Sequence, residues 1–324
     1  MATPMRKSAG WAAEQALDMD SILILEQLLN GLQFGLMLFL LAAGLTLVFG
    51  IMDMVNLAHG SLYMIGAYLI ATIAAASGSF WLGLGAGIAA TCVIGMLLEK
   101  TILQRFYHRD HLAQVMGTFA ILLMANEAVR MIWGTQPMQL NAPAALAGPV
   151  TLLPGLSYSA YRLFIILVGL GVAGLMYLLI TRTRIGMQVR AGASNREMAL
   201  AMGTNVRWLF TALFVFGAGL CALAGGMLGP ILAVQVGMGE SILIPAFVVI
   251  VIGGIGSVRG ALLGALLIGL VDTAGRTLIP LLFAGIMAPD LAANAGPAVA
   301  SILIYVLMAA VLFFKPNGLF PARG

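Results

Sequence analysis

The sequence predicts an all-α membrane protein, a polytopic bundle of transmembrane helices. Three observations support this: an apolar composition, a series of long apolar segments and an uneven distribution of basic residues. Of the 324 residues, 61% are hydrophobic and 9% are charged, whereas soluble domains have roughly 45–50% apolar and about 25% charged residues. Inside hydrocarbon the backbone must satisfy its own hydrogen bonds, and a helix of about 20 apolar residues does so while crossing the bilayer.

The long apolar segments give a best count of nine spans, within a range of eight to ten. The first segment is long enough to be kinked or split, and the seventh is short enough to be a partial span. In chain order the predicted spans are 22–50, 59–77, 80–98, 113–134, 160–181, 208–233, 242–256, 261–282 and 298–314.

Basic residues fall in alternate connections between these spans. The connections 135–159, 234–241 and 283–297 contain no Lys or Arg, whereas 11 of the 16 basic residues lie in three of the other connections and after the last span. The positive-inside rule therefore places the basic connections in the cytoplasm and the N-terminus outside. The eleven residues are Lys100, Arg105, Arg109, Arg182, Arg184, Arg190, Arg196, Arg207, Arg259, Lys315 and Arg323.

The chain divides into a charged N-terminal extension (1–21), a transmembrane domain (22–316) and a C-terminal tail (317–324). Acidic residues interrupt any short apolar region in the extension, so we do not expect a secretion signal there. Cys92 and Cys221 lie inside predicted spans, where free cysteine behaves as a small hydrophobe. They indicate neither a metal site nor a disulfide framework.

The sequence lacks the short motifs of common enzymes. It has no Gly-rich loop ending in Lys-Ser or Lys-Thr, no His-Glu-x-x-His and no Gly-x-Ser-x-Gly, so it cannot hydrolyse ATP through a P-loop by itself. We therefore expect a transport subunit without a cofactor, a metal ion or covalent chemistry of its own. The basic residues are the orientation signal and do not call for a nucleic-acid partner.

The connection 182–207 is the most informative of the basic loops. Ser194 and Glu197 have the spacing of a capping box, which starts a helix, and Gly203 suits the left-handed position that ends one. A helix this short is marginal alone in water and must rest on something. Either it packs under its own bundle, or it fits a groove on a separate cytoplasmic subunit. The candidate docking residues are Arg190, Ser194, Arg196, Glu197, Ala199 and Gly203.

Many of the 40 glycines are spaced four apart, which lets helices approach closely. Close packing is the simpler interpretation for each glycine singly, and most strongly for Gly169, Gly171 and Gly174. The functional alternative is that a glycine-dense segment lets helices bend beside a translocation path. The hinge candidates are Gly253, Gly254, Gly256 and Gly260.

Polar residues inside spans are costly and are candidates for a translocation path. Two pairs have ion-pair spacing on a helix, and their structural alternative is a local pair that lowers the cost of insertion. Three residues of the first span repeat at helical spacing, and others lie at the turn after it, where satisfying the backbone is the simpler role. The candidates are Glu127 with Arg130, Asp272 with Arg276, Glu26, Asn30, Gln33, Asn56 and His59.

Three blocks of sequence resemble branched-chain amino acid ABC transporter permeases of the Liv type, specifically the shorter H-like subunit. The resemblance covers roughly residues 22–320. The blocks are Gly-Leu-Thr-Leu-Val-Phe-Gly at 44–50, followed by Asn-Leu-Ala-His-Gly at 56–60 and Tyr-Met-Ile-Gly-Ala-Tyr at 63–68; Gly-Gly-Ile-Gly-Ser-Val-Arg-Gly at 253–260 with Gly264; and Lys-Pro-Asn-Gly-Leu-Phe at 315–320.

The resemblance implies a permease of the bacterial inner membrane that pairs with a second permease subunit, two cytoplasmic ATPase subunits and a periplasmic substrate-binding protein. It also implies that 190–203 is the ATPase-coupling loop, although Glu197, Ala199 and Gly203 keep only part of the Glu-Ala-Ala…Gly pattern of many importers. The extension 1–20 is a second departure. Membrane lipid and a small amino acid are the other expected partners.

Branched-chain or similar hydrophobic amino acids are the expected cargo, and related permeases carry urea, amides and small carboxylates. An ion-coupled secondary transporter built from repeats is the alternative of another class. No clear internal repeat is visible in the sequence, and the intramembrane charges do not indicate a coupling ion, so the importer is preferred.

Overall fold

The computed structural model describes the backbone of residues 5–320, apart from 53, 108, 195, 285, 287 and 288. Side chains are described from residue 22 onward, apart from 53, 108, 195–197, 281, 284, 285 and 287–294. The structural statements that follow refer to these residues.

The described chain is almost entirely helical, which confirms the predicted all-α class. A short antiparallel hairpin of two strands, β1 (Pro149–Leu153) and β2 (Leu156–Ser159), is the exception. The helices are α1 (Met5–Met52), α2 (Ala58–Ser77), α3 (Phe80–Thr101), α4 (His111–Trp133), α5 (Ala160–Arg182), α6 (Arg184–Ser194), α7 (Arg196–Ala201), α8 (Val206–Leu232), α9 (Met238–Gly253), α10 (Val258–Ala284) and α11 (Pro289–Phe314).

Eight helices of the described chain are long and apolar enough to cross a membrane, which lies within the predicted range. The predicted span 242–256 forms α9, whose 16 residues reach only about 24 Å at 1.5 Å per residue, short of the roughly 30 Å hydrocarbon core. Left-handed Gly237 precedes α9 and Gly254, also at positive φ, follows it. Helix α1 is not split, since it continues without a break to Met52.

Helix α1 lies at the centre of the bundle and packs against α5, α8, α9 and α10. Residues 36–43 are all fully or almost fully buried, as expected for a helix that is apolar all round. Gly31 and Gly35 allow the close approach of α10, because a Cβ on Gly35 would lie 2.7 Å from the carbonyl oxygen of Ala265.

The helices form two sets, α1–α4 and α8–α11, that share part of their packing arrangement, although α10 packs against α11 and α3 does not pack closely against α4. In each set the first helix packs against the third helix of the other set, and the second helix packs against the third and fourth helices of its own set. The two first helices meet at Gly44 and Gly217, and the two second helices meet at Gly60 and Gly239.

The two sets run in opposite directions. Gly192 of α6 contacts both Ile51 of α1 and Leu209 of α8, whereas further along each helix Gly44 meets Gly217. Since α1 and α8 are therefore antiparallel, the sets form an inverted repeat, an architecture known in membrane transporters. The repeat that the sequence did not reveal is visible only in the packing.

Candidate functional site

A cavity of about 1380 Å³ opens at the end of the bundle that carries the basic connections, here called the basic end. Its lining includes Gly50 from the end of α1, Gly256 from the turn before α10, and Phe320. These residues belong to the three separate sequence blocks that carry the family resemblance. The fold therefore brings the blocks together around one space.

Glycines allow the backbones around this cavity to touch. A Cβ on Gly50 would lie 2.6 Å from the Cα of Gly256, and a Cβ on Gly254 would lie 2.7 Å from the carbonyl oxygen of Phe320. Gly254 and Gly256 also have positive φ values of 102° and 79°, which side chains with a Cβ rarely adopt. Gly253 and Gly260 are in backbone contact with each other. All four hinge candidates are thus tightly packed in this conformation.

The beginning of the predicted C-terminal tail is part of the packed structure. The Leu319 amide donates to the carbonyl oxygen of Ile252 at 2.8 Å, and the Phe320 amide donates to that of Gly253 at 3.0 Å. These bonds attach the end of the chain to the end of α9. The tail therefore helps to fix the α9–α10 turn at the basic end.

The connection 182–207 folds into two short helices beside the cavity, with Arg190 and Ser194 in its lining. The expected helix end is confirmed: α7 stops at Ala201, Gly203 has a φ of 82°, and the Thr204 amide donates to the carbonyl oxygen of Ala199 at 3.0 Å. The side chains of Arg196 and Glu197, and hence the expected capping box, lie outside the described residues. Helix α6 was not predicted.

Helix α7 has one buried face and one exposed face. Ala199 is only 4% exposed and points into the protein, whereas Met202 is 80% exposed. Met198, Leu200 and, on α6, Met187 are also exposed. Of the candidate docking residues, Ala199 therefore packs against the bundle and does not face outward. The outward apolar surface is formed by Met198, Leu200 and Met202, which the sequence analysis did not include among the docking candidates.

The polar candidates of the first span attach α1 to its neighbours. The side-chain oxygen Oδ1 of Asn30 accepts hydrogen bonds from the Tyr158 hydroxyl, at 2.9 Å, and from Arg162. Burial raises the pKa of Tyr158, while nearby Arg162 acts in the opposite direction and Glu26 adds to the increase. Gln33 is buried. The contacts of Asn30 thus hold the β1–β2 hairpin and α5 against α1.

Asn56 and His59 differ in their surroundings, although both are fully buried. The Asn56 side chain accepts a hydrogen bond from the Ala58 amide at 3.0 Å and so satisfies the start of α2, the simpler role expected for it. The His59 ring lies against Gly44 and Gly217, where the two sets of helices meet. The backbone of Leu41 is close to this ring, but neither ring nitrogen has a hydrogen bond of ordinary geometry among the described residues.

Both expected ion pairs are formed. Arg130 and Glu127 approach to 3.2 Å and are largely exposed, whereas Arg276 and Asp272 approach to 2.8 Å and Asp272 is buried. Neither pair lies at the basic-end cavity. The structure places Glu127 and Arg130 instead in a second cavity of about 670 Å³, at the other end of the bundle.

Sequence reasoning missed two carboxylates that the fold buries or places in a cavity. Glu99 is fully buried and accepts hydrogen bonds from Gln104 and Thr211, at 3.1 and 2.8 Å. Glu240 lies in the first turn of α9 and lines the second cavity. The predicted spans place Glu99 just after a span end and Glu240 in a connection. Charged residues are expected at both places, so the sequence gave no indication that these two carboxylates have a special role.

These features define a class: a multi-pass membrane permease, with a helical bundle of inverted repeats and a short-helix loop at its basic end. The chain belongs to the family of branched-chain amino acid transport system permease components, whose model matches residues 27–312. The Liv-type resemblance is confirmed by this match.

Named relatives agree with the family. The chain is 29% identical to the high-affinity branched-chain amino acid transport system permease protein BraD of Pseudomonas aeruginosa, over 91% of this chain and 95% of that protein. It is also 29% identical to the corresponding permease LivH of Escherichia coli, over 76% of this chain and 84% of LivH. The fructose import permease FrcC of Rhizobium meliloti is 27% identical over 58% of this chain and 52% of FrcC. No solved structure matches the chain significantly.

Proposed function

We propose that this chain is a membrane-spanning subunit of an ATP-driven importer that carries branched-chain or similar hydrophobic amino acids across a bacterial inner membrane. A second permease subunit, two cytoplasmic ATPase subunits and a periplasmic substrate-binding protein complete the assembly. Separate subunits hydrolyse the ATP, and this chain contributes no covalent chemistry. Membership of the permease family and the cargo named for BraD and LivH support the proposal.

The exposed apolar surface of α7 and of the turn that follows it is the observation that carries the coupling role. Met198, Leu200 and Met202 are all more than half exposed, at the basic end and outside the candidate spans. Clustered apolar side chains exposed in this way are typical of a protein-binding surface. This surface supports docking to an ATPase subunit, while buried Ala199 holds the helix against its own bundle and left-handed Gly203 follows its end.

Movement of α6 and α7 has a short route into the bundle. Gly192 of α6 contacts Ile51 at the end of α1, and α6 shares the basic-end cavity with the turn at Gly256. ATP binding in the partner subunits would displace α6 and α7, and the glycines at 253, 254, 256 and 260 would let the α9–α10 turn follow. Access to a path between permease subunits would then switch from one side to the other.

Partner identity is tested by purifying the tagged chain from its native membrane without prior selection of partners. An ATPase and a second permease should copurify, and proteoliposomes of that complex should take up leucine when ATP and the binding protein are present. Leucine uptake by the chain alone, driven by an ion gradient, would instead establish a secondary transporter and refute the proposal.

The docking face is tested by Met202→Asp, with Met202→Leu as the matched control. A carboxylate within an apolar interface is costly to desolvate, so Met202→Asp should reduce copurification of the ATPase and ATP-driven uptake by tenfold or more, about 1.4 kcal/mol. The Leu variant should behave as wild type, and both chains should insert normally. Wild-type coupling in Met202→Asp would show that α7 does not dock.

A further inference from the structure

The second cavity, at the end of the bundle opposite the basic end, has the size and composition of a small-molecule site. Its volume of about 670 Å³ lies within the roughly 300–1,000 Å³ of ligand pockets. Helix α4 contributes Asn126, Glu127 and Arg130, and the start of α9 contributes Glu240. Leu123, Pro137 and Val236 supply apolar surface beside these polar groups.

Charged side chains on this face indicate that it does not look onto lipid. Glu127 and Arg130 lie within the candidate span of α4, and their side chains are 60% and 51% exposed. Because charges facing hydrocarbon are costly, such residues face a water-filled path or another protein. Pairing with each other lowers the cost of placing Glu127 and Arg130 in the membrane. The pair does not neutralise Glu240, which has no cationic partner among the described residues.

Asn126 links Glu240 to α4 and leaves an acceptor without a donor. Its amide nitrogen donates to Glu240 Oε1, an assignment that follows from chemistry because a carboxylate only accepts. The amide oxygen Oδ1 is buried and has no hydrogen-bond partner among the described residues. The whole of Asn126 is only 8% exposed. Buried acceptors are nearly always satisfied, so this pair of side chains has room for one more donor group.

We propose that this cavity binds the head group of the transported amino acid, with Glu240 and Asn126 holding its ammonium and Arg130 holding its carboxylate. The inference rests on the proposed function. An ammonium has three donors and no acceptor, which suits the two acceptors of Glu240 and Asn126 once the start of α9 shifts to admit it. The guanidinium of Arg130 has five donors in a fork that matches a carboxylate, and its pair with Glu127 uses part of that fork.

The charge and the position of the cavity fit this ligand. Glu127, Arg130 and Glu240 together carry one net negative charge, which favours a ligand with a cationic group. Glu240 adjoins Gly239, which touches Gly60 where the second helices of the two sets meet. A ligand held here therefore lies beside the contact between the two inverted sets, where transporter sites are commonly formed.

Glu240→Gln tests the site in the complete reconstituted transporter, because it removes the charge while keeping the shape of the side chain. Leucine uptake should fall at least about tenfold, the loss expected for one hydrogen bond to a charged group, and Arg130→Gln should have a similar effect. ATPase stimulation by leucine-loaded binding protein should stay within twofold of wild type, since α6 and α7 lie at the opposite end of the bundle. Ser241→Ala, the next residue on α9, is the matched control and should transport normally.

Three outcomes would decide against the site. Leucine uptake within twofold of wild type in both Glu240→Gln and Arg130→Gln would overturn it. A parallel loss of uptake and ATPase stimulation in both variants would assign these residues to binding-protein docking if thermal stability is unchanged, and to a structural role if it falls as well. Uptake by the wild type that requires a particular inorganic cation in the external buffer would assign Glu240 to that cation.

Failure of the site and failure of the proposed function are distinguishable in the same assay. A wild-type complex that takes up no leucine, isoleucine or valine refutes the proposed cargo before any variant is made. Normal uptake of leucine by the wild type and by both variants refutes only the site.

Discussion

Gly44 shows how a single residue position determines close packing between the two sets of helices. A Cβ at this position would lie 2.8 Å from Nε2 of His59 and 2.9 Å from the Cα of Gly217. The sequence indicated that glycines allow close helix contacts, but its ranking of Gly169, Gly171 and Gly174 as the clearest packing positions is wrong for two of the three. Gly169 is packed against Leu36, whereas Gly171 and Gly174, for which packing was equally expected, have no neighbouring atom within 4 Å of an added Cβ among the described residues.

Gly44→Val should therefore destabilise the protein, and Gly171→Val should not. Overfilling a packed site typically costs about 1–3 kcal/mol or more, whereas a substitution at an open site usually changes stability by less than about 0.5 kcal/mol. Thermal unfolding of the two purified variants in the same detergent would measure the difference. Equal unfolding temperatures would contradict the close contact at Gly44.

Secondary-structure elements were predicted well where the apolar pattern was long, and poorly where it was short. Eight predicted spans became long helices, but α6 was missed because its sequence is rich in arginine and glycine and reads as a loop. The β1–β2 hairpin was missed although Pro154-Gly155, with Gly155 at a φ of 92°, is a recognisable turn. Short helices and strands are stable only through the surfaces that they pack against. The hydrophobic pattern of one segment does not reveal those surfaces.

Helix α10 offers a test of whether its ion pair serves insertion or transport. Replacing Asp272 by Leu and Arg276 by Met together removes the pair without leaving one charge stranded, which single variants would do. We expect the double variant to assemble normally and to transport leucine less well. In the wild type the Arg276 side chain is half exposed beside α11, so its charge is available to a translocation path. Thr277→Val on the same helix is the control. Unchanged uptake in the double variant would limit the pair to an insertion role.

At the scale of the whole molecule, the distribution of basic residues and the fold agree on two ends. Arg109, Arg190 and Arg259 converge on the basic-end cavity, as alternation of the connections predicts. The connections 135–159 and 234–241, which have no basic residues, line the second cavity at the other end. Because the two sets run in opposite directions, corresponding helix ends of α1–α4 and α8–α11 lie at opposite ends of the bundle.

Cysteine labelling tests this orientation. In a variant without Cys92 and Cys221, a single cysteine at Ser194 should react with a membrane-impermeant maleimide only from the cytoplasmic side. A single cysteine at Ala145, which is also exposed, should react only from the outside. Labelling of both positions from the same side would overturn the order of the spans, and the docking role of α7 with it.

The sequence by itself determined that this chain is a helical membrane permease, approximately where its spans lie, and which connections share an end. Those properties depend on hydrophobicity and charge within short windows, so the local sequence specifies them. Only the tertiary structure decided that the three motif blocks meet at one cavity, that Ala199 points inward, that α1–α4 and α8–α11 form an inverted repeat, and that Glu240 joins Asn126. These properties depend on contacts between residues far apart in the chain, such as Gly60 and Gly239, which no local pattern encodes.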